Sequence, residues 1–318
     1  MTRTLPSPDS PLKIGTRGSP LALAQAYETR DRLMAAFTLP EAAFVIEVIH
    51  TTGDDRQMIN ADRPLKEIGN KGLFTKEIEE AMLRGDIDIA VHSTKDMPTE
   101  QPDGLVLDTF LPREDVRDAF ISAKYNSLAD LPQGATVGTS SLRRKAQLMT
   151  KRPDLKVVEF RGNVQTRLKK LEDGVADCSF LAMAGLTRLG MADKAASAIE
   201  PDEMLPAVAQ GTIGIECRAD DAQALHMLAA IHHADSGTRV VCERAFLRAL
   251  DGSCETPIAA LSEIKGSQIH LRGEVLKTDG SKRLQTEGLA PLDQAETLGR
   301  ELGEALLKEA GEGFFDHR

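Results

Sequence analysis

Tryptophan is absent from this 318-residue chain, and only two tyrosines are present. Proteins that grip single-stranded nucleic acid stack bases on aromatic side chains, so that class starts at a disadvantage. The net charge of −10 weakens it further, because neutralising a phosphate backbone takes a cationic surface. Long apolar runs are missing too. No window approaches ~18 uninterrupted apolar residues, so no membrane-spanning helix is expected. Residues 1–11 hold three prolines, one arginine and no apolar stretch of the signal-peptide kind. They read as a disordered tail, and the expected location is cytoplasmic. Cysteine is scarce. Cys178, Cys217, Cys242 and Cys254 form no Cys-x-x-Cys pair and no metal-like spacing with His, so neither a metal site nor a disulfide framework is expected. The first three lie in apolar runs and read as core, whereas Cys254 sits in the loop sequence Asp251-Gly252-Ser253-Cys254. There is no Gly-x-Gly-x-x-Gly fingerprint, and Gly69-Asn70-Lys71-Gly72 lacks the Ser or Thr of a phosphate loop.

What is present is the balance of a globular protein, 41% hydrophobic and 28% charged residues, in a chain long enough for two or three domains. Strand patterns at Leu12 to Gly15, Phe44 to Thr51, Ile87 to His92 and Leu105 to Leu111 alternate with helices opened by Ser19-Pro20 and spanning Leu73 to Arg84. A second unit of the same kind starts near Arg117. It has strands at Ala119 to Ser122, Ala135 to Thr139, Val157 to Phe160 and Cys178 to Ala182, with helices from Ser141 and Val164. Such alternation implies parallel sheets flanked by helices. Gly211 to Cys217 is again strand-like, and helices to His233 and from Thr238 to Leu250 follow. Three alternating strands, Ile258 to Ile264, Gln268 to Leu276 and Arg283 to Leu289, turn at Thr278-Asp279-Gly280, and a helix from Leu292 to Ala310 closes a small α+β domain. The expected division is residues 12–112 with 211–230, residues 116–206, and residues 234–318.

Four strand-to-helix junctions collect polar residues: Thr16 to Ser19, Val91 to Pro98, Gly138 to Arg144 and Phe160 to Arg167. In open α/β sheets these carboxyl ends of strands are where ligands bind, and free N–H groups at a helix start receive anions. One Ser or Thr before a helix is ordinarily just a cap. Four such junctions, basic throughout and acidic only at Asp96, exceed what capping needs. Residues 139–170 carry ten Lys or Arg and two acids, a local excess of +8, which could also be solvated helix faces. Arginines spread over several loops suit a ligand with separated carboxylates, each taken by a planar guanidinium fork. A charge-assisted hydrogen bond contributes about 1.5–3 kcal/mol and an exposed ion pair about 0–1 kcal/mol, so the cluster matters only in a cleft.

The runs Gly15 to Ala26, Val91 to Pro98, Gly138 to Arg144, Phe160 to Arg167, Pro206 to Gly211 and Gly252 to Pro257 resemble the hydroxymethylbilane synthase (porphobilinogen deaminase) family, collinearly from residue 12 to the last helix. The resemblance implies two type II periplasmic-binding-protein-like lobes and a C-terminal domain carrying a dipyrromethane cofactor as a thioether on Cys254. It implies a transferase of tetrapyrrole (heme) biosynthesis that deaminates and joins four porphobilinogen molecules, then releases hydroxymethylbilane by hydrolysis. It also implies Asp96 as the catalytic carboxylate, which suits a reaction that must steady a cation and move protons. Carried over for the cofactor are Ser93, Lys95, Asp96, Thr139, Ser141, Arg143, Arg144, Arg161 and Arg188. Carried over for the substrate are Arg17, Ser19, Arg161, Arg167 and Gln210. Lys71 falls in a Gly-flanked loop that could close as a lid. The expected partners are porphobilinogen and the growing oligopyrrole, with no nucleic acid and no membrane, and the expected state is a monomer. His92, closing an apolar strand, reads as a structural hydrogen-bonder. Glu255-Thr256 stands where relatives often have Gln-Val, and Val116 where Pro is common.

Two other classes compete. A non-catalytic two-lobed binding module would share the architecture but need neither Asp96 nor Cys254. A nucleic-acid binder could use residues 139–170, against the overall acidity and the lack of stacking aromatics.

Overall fold

Apolar and β-branched runs form most of the strands, and polar caps start several helices. The chain opens with β1 (Leu12–Thr16), α1 (Pro20–Phe37), β2 (Phe44–Val48), α2 (Lys76–Leu83), β3 (Ile89–Ser93) and β4 (Leu105–Phe110). Next come β5 (Asp118–Ile121), β6 (Thr136–Gly138), α3 (Leu142–Lys151), β7 (Lys156–Val158), α4 (Val164–Glu172), β8 (Cys178–Ala182), α5 (Met183–Arg188) and β9 (Ser197–Ile199). Then follow β10 (Ile213–Arg218), α6 (Ala222–Ala229), α7 (Ala234–Ala249), β11 (Ile258–Lys265), β12 (Gln268–Leu276), β13 (Arg283–Pro291) and α8 (Ala295–Ala310). The computed structural model describes residues 5–52, 75–250 and 256–314. The chain divides into two units, Met1–Arg113 with Thr212–Gly237, and Glu114–Gly211 with Thr238–Arg318.

In the first unit the sheet runs β2-β1-β3-β10-β4, with β1 parallel to β2 and β3, and β10 antiparallel to β3 and β4. The second unit repeats the plan as β7-β6-β8-β5-β9, with β5 antiparallel to β8 and β9. The expectation of parallel sheets is therefore corrected to mixed ones. Parallel neighbours need a long crossover, usually a helix; β5 and β10 each follow in sequence on a strand of the other unit, without a helix between, and run the other way. The two sheets thus share one strand order, each with one reversed strand.

Each sheet is covered on both faces. In the first unit Leu12, Ile14, Ile89, Val91, Ile213 and Ile215 pack with Leu33 of α1 and Met227 of α6, while Ala90 and Ile87 meet Ile78 and Met82 of α2. In the second, Phe120, Val137 and Phe180 pack with Leu148 of α3, and Ala119, Ile121 and Leu181 lie under Leu168 and Leu186. β11, β12 and β13 form an antiparallel meander. Its Ala259 and Leu261 pack on Leu205 and Val116, which attaches this small sheet within the second unit. Glu243 of α7 reinforces the attachment. Fully buried, its carboxylate accepts from Ala209 N at 2.7 Å and from Ser262 N and Oγ, each at 2.8 Å.

Two local expectations need correction. Residues 5–11 are not a featureless tail: Ser7 and Ser10 exchange backbone bonds of 3.1 and 3.0 Å, and Pro6 is buried. Ser-Pro-Asp-Ser is good turn chemistry, with Pro preset at the second position. Helix α7 begins at Ala234 rather than Thr238, because the His233 ring Nδ1 accepts from Ser236 N at 3.3 Å and caps the first turn.

Gly138 has structural work at the end of β6. A Cβ there would meet the Phe160 ring at 2.4 Å, and Phe160 is completely buried, so the ring has nowhere to go. Gly138→Ala is expected to cost about 1–3 kcal/mol of stability by overpacking. Urea unfolding measures it, and an unchanged midpoint would contradict the close approach.

Candidate active site

The strand pairing gathers the four polar junctions into two pairs. In the first unit β1 and β3 are parallel neighbours, Ile14 opposite Ile89 and Gly15 opposite Ala90, so the junctions after Thr16 and after Ser93 leave the sheet side by side. In the second, β6 and β7 are parallel, Val137 opposite Val157 and Gly138 opposite Val158. That places the Thr139–Arg144 and Phe160–Arg167 junctions together. Ligands of α/β sheets bind outside such strand ends.

In the first unit Ser19 caps α1 in extended geometry, its Oγ accepting from Ala22 N at 3.3 Å, and Pro20 follows at the first helical position, where a missing N–H costs nothing. Arg17 and Ser19 are half-buried. Ser93 Oγ lies 2.9 and 3.2 Å from the side-chain Nε2 and Oε1 of the buried Gln25. This contact joins α1 to the end of β3, and sequence reasoning quoted Gln25 only as part of a motif. A single 3₁₀ turn, Thr94–Asp96, then carries Lys95 and Asp96. It is fastened by Thr94 N donating to Thr212 O at 3.0 Å and by the burial of Met97. Lys95 is half-buried, and Asp96 is exposed.

In the second unit Ser141 caps α3 by accepting from Arg144 N at 3.4 Å, and its own N donates to the hydroxyl of buried Thr139 at 3.2 Å. Ser140 Oγ accepts from Phe160 N at 2.8 Å, which locks the two junctions together. Asn163 caps α4, accepting from Thr166 N at 2.9 Å. Arg167 Nε donates to Gly162 O at 2.8 Å, and Arg161 lies 3.5 Å from Glu159; both arginines are half-buried. Arg188, at the end of α5, donates to Gly211 O at 3.1 Å.

Arg143, Arg144 and Gln210 occupy a different setting from the expected ligand surface. All three are buried around Asp118, a residue the sequence reading passed over. Arg143 Nη2 and Arg144 Nη2 reach its carboxylate at 2.8 and 2.7 Å, and Gln210 Nε2 at 3.0 Å. Arg143 Nη1 also donates to Leu205 O, and Arg144 Nη1 to Phe180 O. Each guanidinium thus has protein acceptors, and a ligand carboxylate would compete with them. Burial alone would raise the Asp118 carboxyl, yet the charges and hydrogen bonds of Arg143 and Arg144 hold it well below the usual carboxylate range. Two guanidinium groups share the Asp118 carboxylate beneath the first turn of α3, and the charge of buried Glu274 also acts on Arg143.

The described cysteines are unsuited to covalent work. Cys178, Cys217 and Cys242 are buried, and burial pushes each thiol up to about 12. Only a thiolate is nucleophilic. Cys254 and the lid residue Lys71 lie outside the described residues. A cavity of about 420 Å³ in the first unit is lined by Glu47, Glu77, Glu80 and Asp86 with Arg84. It contains none of the expected site residues, and its charge has the wrong sign for a polyacid. Among the described residues no group of three or more His, Cys, Asp or Glu could hold a metal, and no helix is long and apolar enough to cross a membrane.

An α/β protein whose paired strand ends present hydroxyls, helix-start amides and cations has the groups that an organic polyanion would need. Comparison narrows the class. The family model described as porphobilinogen deaminase, dipyromethane cofactor binding domain, matches residues 12–226, and the porphobilinogen deaminase C-terminal domain matches residues 237–308. A porphobilinogen deaminase of Paracoccus denitrificans is 64% identical over 312 residues, 98% of either chain. The chloroplastic porphobilinogen deaminase of Oryza sativa subsp. japonica is 54% identical over 310 residues, 96% of this chain and 86% of its own. Among solved structures, the methionine-binding protein MetQ is similar at TM-score 0.42 and 16% identity, over 73% of this chain and 93% of that one. The chain belongs to the porphobilinogen deaminase family, enzymes of the transferase class.

Asp118→Ala would leave two guanidinium groups buried without their carboxylate and is expected to cost about 3–5 kcal/mol in urea unfolding; a loss under ~1 kcal/mol would mean that the cluster is solvated. Because folding depresses this carboxyl, its stabilisation is complete above roughly pH 4 and is lost as the pH falls below that. Asp118→Asn is therefore expected to show a shallower loss of stability with acid than the parent protein.

Proposed function

We propose that this protein is a hydroxymethylbilane synthase that joins four porphobilinogen molecules head to tail with loss of ammonia, working as a cytoplasmic monomer. The observation that carries the reading is the pairing of cationic, amide-rich junctions with one exposed carboxylate, Asp96, inside a chain of this family. Porphobilinogen bears two carboxylates per pyrrole, so a growing oligopyrrole is a polyacid, and half-buried Arg17, Arg161 and Arg167 suit it. The acidic overall charge supports neither nucleic acid nor a membrane as partner.

A dipyrromethane fits the residues present. Its carboxylates call for guanidinium forks and helix-start amides, which both units supply. Its thioether calls for an accessible thiol, and burial disqualifies Cys178, Cys217 and Cys242, leaving Cys254 of the four. Held on Cys254, the group supplies the free pyrrole α-carbon to which new units are joined. Ser93, Lys95, Thr139, Ser141, Arg161 and Arg188 are assigned to hold its carboxylates, with Arg17, Ser19 and Arg167 taking those of the incoming substrate. Arg143, Arg144 and Gln210 serve through the buried cluster with Asp118, holding the first turn of α3.

Asp96 carries the chemistry. When ammonia leaves the aminomethyl group, positive charge spreads to the pyrrole nitrogen, and a carboxylate at that nitrogen stabilises it. The same oxygen can hold the proton that the attacked α-carbon releases. The neighbouring Lys95 and the half-buried arginines bind, and Asp96 alone among the junction residues can accept a proton as a carboxylate.

Asp96→Ala is expected to keep the fold and to lower porphobilinogen consumption at least ~100-fold, the low end for a positioned acid–base group. A variant that retains more than about a tenth of the rate would remove Asp96 from the centre of the mechanism. Cys254→Ser, assayed beside it, is expected to consume no porphobilinogen.

A further inference from the structure

Immediately before the Ser93–Asp96 segment, a histidine and two glutamates are buried together. His92 on β3 is 6% exposed, and Glu216 on β10 is fully buried. In the antiparallel register His92 stands opposite Gly214 and Ala90 opposite Glu216, so both side chains leave the same face of the sheet. The imidazole Nε2 lies 3.2 Å from Glu216 Oε2. A carboxylate can only accept, so the tautomer with hydrogen on Nε2 makes the bond. Glu79 of α2 is buried against the same place. Burial raises its carboxyl and the Glu216 charge adds to the effect, against the pull of Thr75 and His92. Arg218, further along β10, is committed elsewhere, to Met82 O, Ile87 O, Asp88 and Asp221.

A buried polar pair adds little net stability over an apolar core, so its value here lies in what it fixes. β3 ends in the turn that carries Asp96, four residues after His92. Ser93 is tied to Gln25 of α1, and its side chain leaves the opposite face from that of His92. His92 ties the strand to β10 on its own face, and Thr94 N continues the attachment on Thr212 O. A reacting carboxylate has to be held within ~0.5 Å, and this end of β3 is clamped from both sides.

We propose that His92 is a positioning residue for Asp96, acting through its hydrogen bond to buried Glu216. The inference rests on the reading of Asp96 given above. Two amide variants of the full-length enzyme test it: the Gln amide nitrogen can reach the place of Nε2, and the shorter Asn cannot. His92→Gln is expected to keep kcat within threefold of the parent. His92→Asn is expected to lose kcat at least tenfold with KM for porphobilinogen within twofold, since His92 touches no substrate. Amide hydrogen exchange at Thr94 and Met97 gives a readout independent of activity; it is expected to accelerate in His92→Asn and to stay as in the parent in His92→Gln. Should His92→Asn not fold, Glu216→Gln replaces it, with an amide that still pairs with the ring and kcat expected within threefold. Equal kcat in the two amide variants, a change confined to KM, unaltered exchange in His92→Asn, or a tenfold loss in Glu216→Gln would overturn the proposal. A parent enzyme that consumes porphobilinogen leaves the functional reading standing whatever the variants do, and one that does not removes both.

Discussion

A helix start leaves backbone N–H groups without partners, and two parallel neighbouring strands set two such starts next to each other. The pairing of β6 with β7 sets the starts of α3 and α4 side by side in the second unit, and the pairing of β1 with β3 sets the start of α1 beside the 3₁₀ turn Thr94–Asp96 in the first. Reception of anions follows from it. Hydroxyls at Ser19 and Ser141 cap the helices, while the arginines nearby add the charge that neutral amides lack. Asp96 is exposed on the turn after β3, with half-buried Lys95 beside it.

Beneath these polar ends the protein buries carboxylates. Asp118 lies under α3 between two arginines, Glu216 lies behind β3 against His92, and Glu243 joins the Ala209 turn to β11. Each has zero exposure. Taking a charge out of water is costly unless partners satisfy it; Asp118 is met by guanidinium groups and Glu243 by backbone and hydroxyl donors, while Glu216 has the His92 imidazole at Oε2 and no hydrogen bond at Oε1. Such groups tolerate little displacement, since a misplaced partner leaves a charge without compensation. That intolerance stiffens the backbone segments that each of them joins.

Most strands, three of the four strand-to-helix junctions and the helix-capping serines were legible in the sequence because their signals are local; the fourth junction, Val91 to Pro98, leads into a single 3₁₀ turn and then β4. A cap speaks to the residue three positions on, and an apolar run speaks for itself. Asp118 was not legible. Its partners lie 25 and 26 residues away, and Arg117-Asp118 looks like the charged border of a strand. Arg143 and Arg144, carried over as cofactor groups by the family resemblance, also meet this buried carboxylate under the helix, and nothing in their sequence neighbours tells of it. β9 was missed because three residues, Ser197–Ile199, make no pattern. Strand direction was misjudged because β–α alternation carries no information about a strand that enters from elsewhere in the chain. Gln25 and His233 act through partners that local propensity does not suggest. The family resemblance carried over which residues are expected to serve the ligand, and the structure separates half-buried ones such as Arg17, Arg161 and Arg167 from buried Arg143, Arg144 and Gln210.

The central claim is that a cationic, amide-rich receptor serves a polyacid tethered to this chain's own cysteine. Intact-protein mass spectrometry of purified enzyme tests it most directly, before and after porphobilinogen is added. The account predicts a resting mass above that of the polypeptide by two condensed pyrroles, located on the peptide containing Cys254 and climbing in steps of one pyrrole with substrate. Turnover by protein whose Cys254 is unmodified would contradict it.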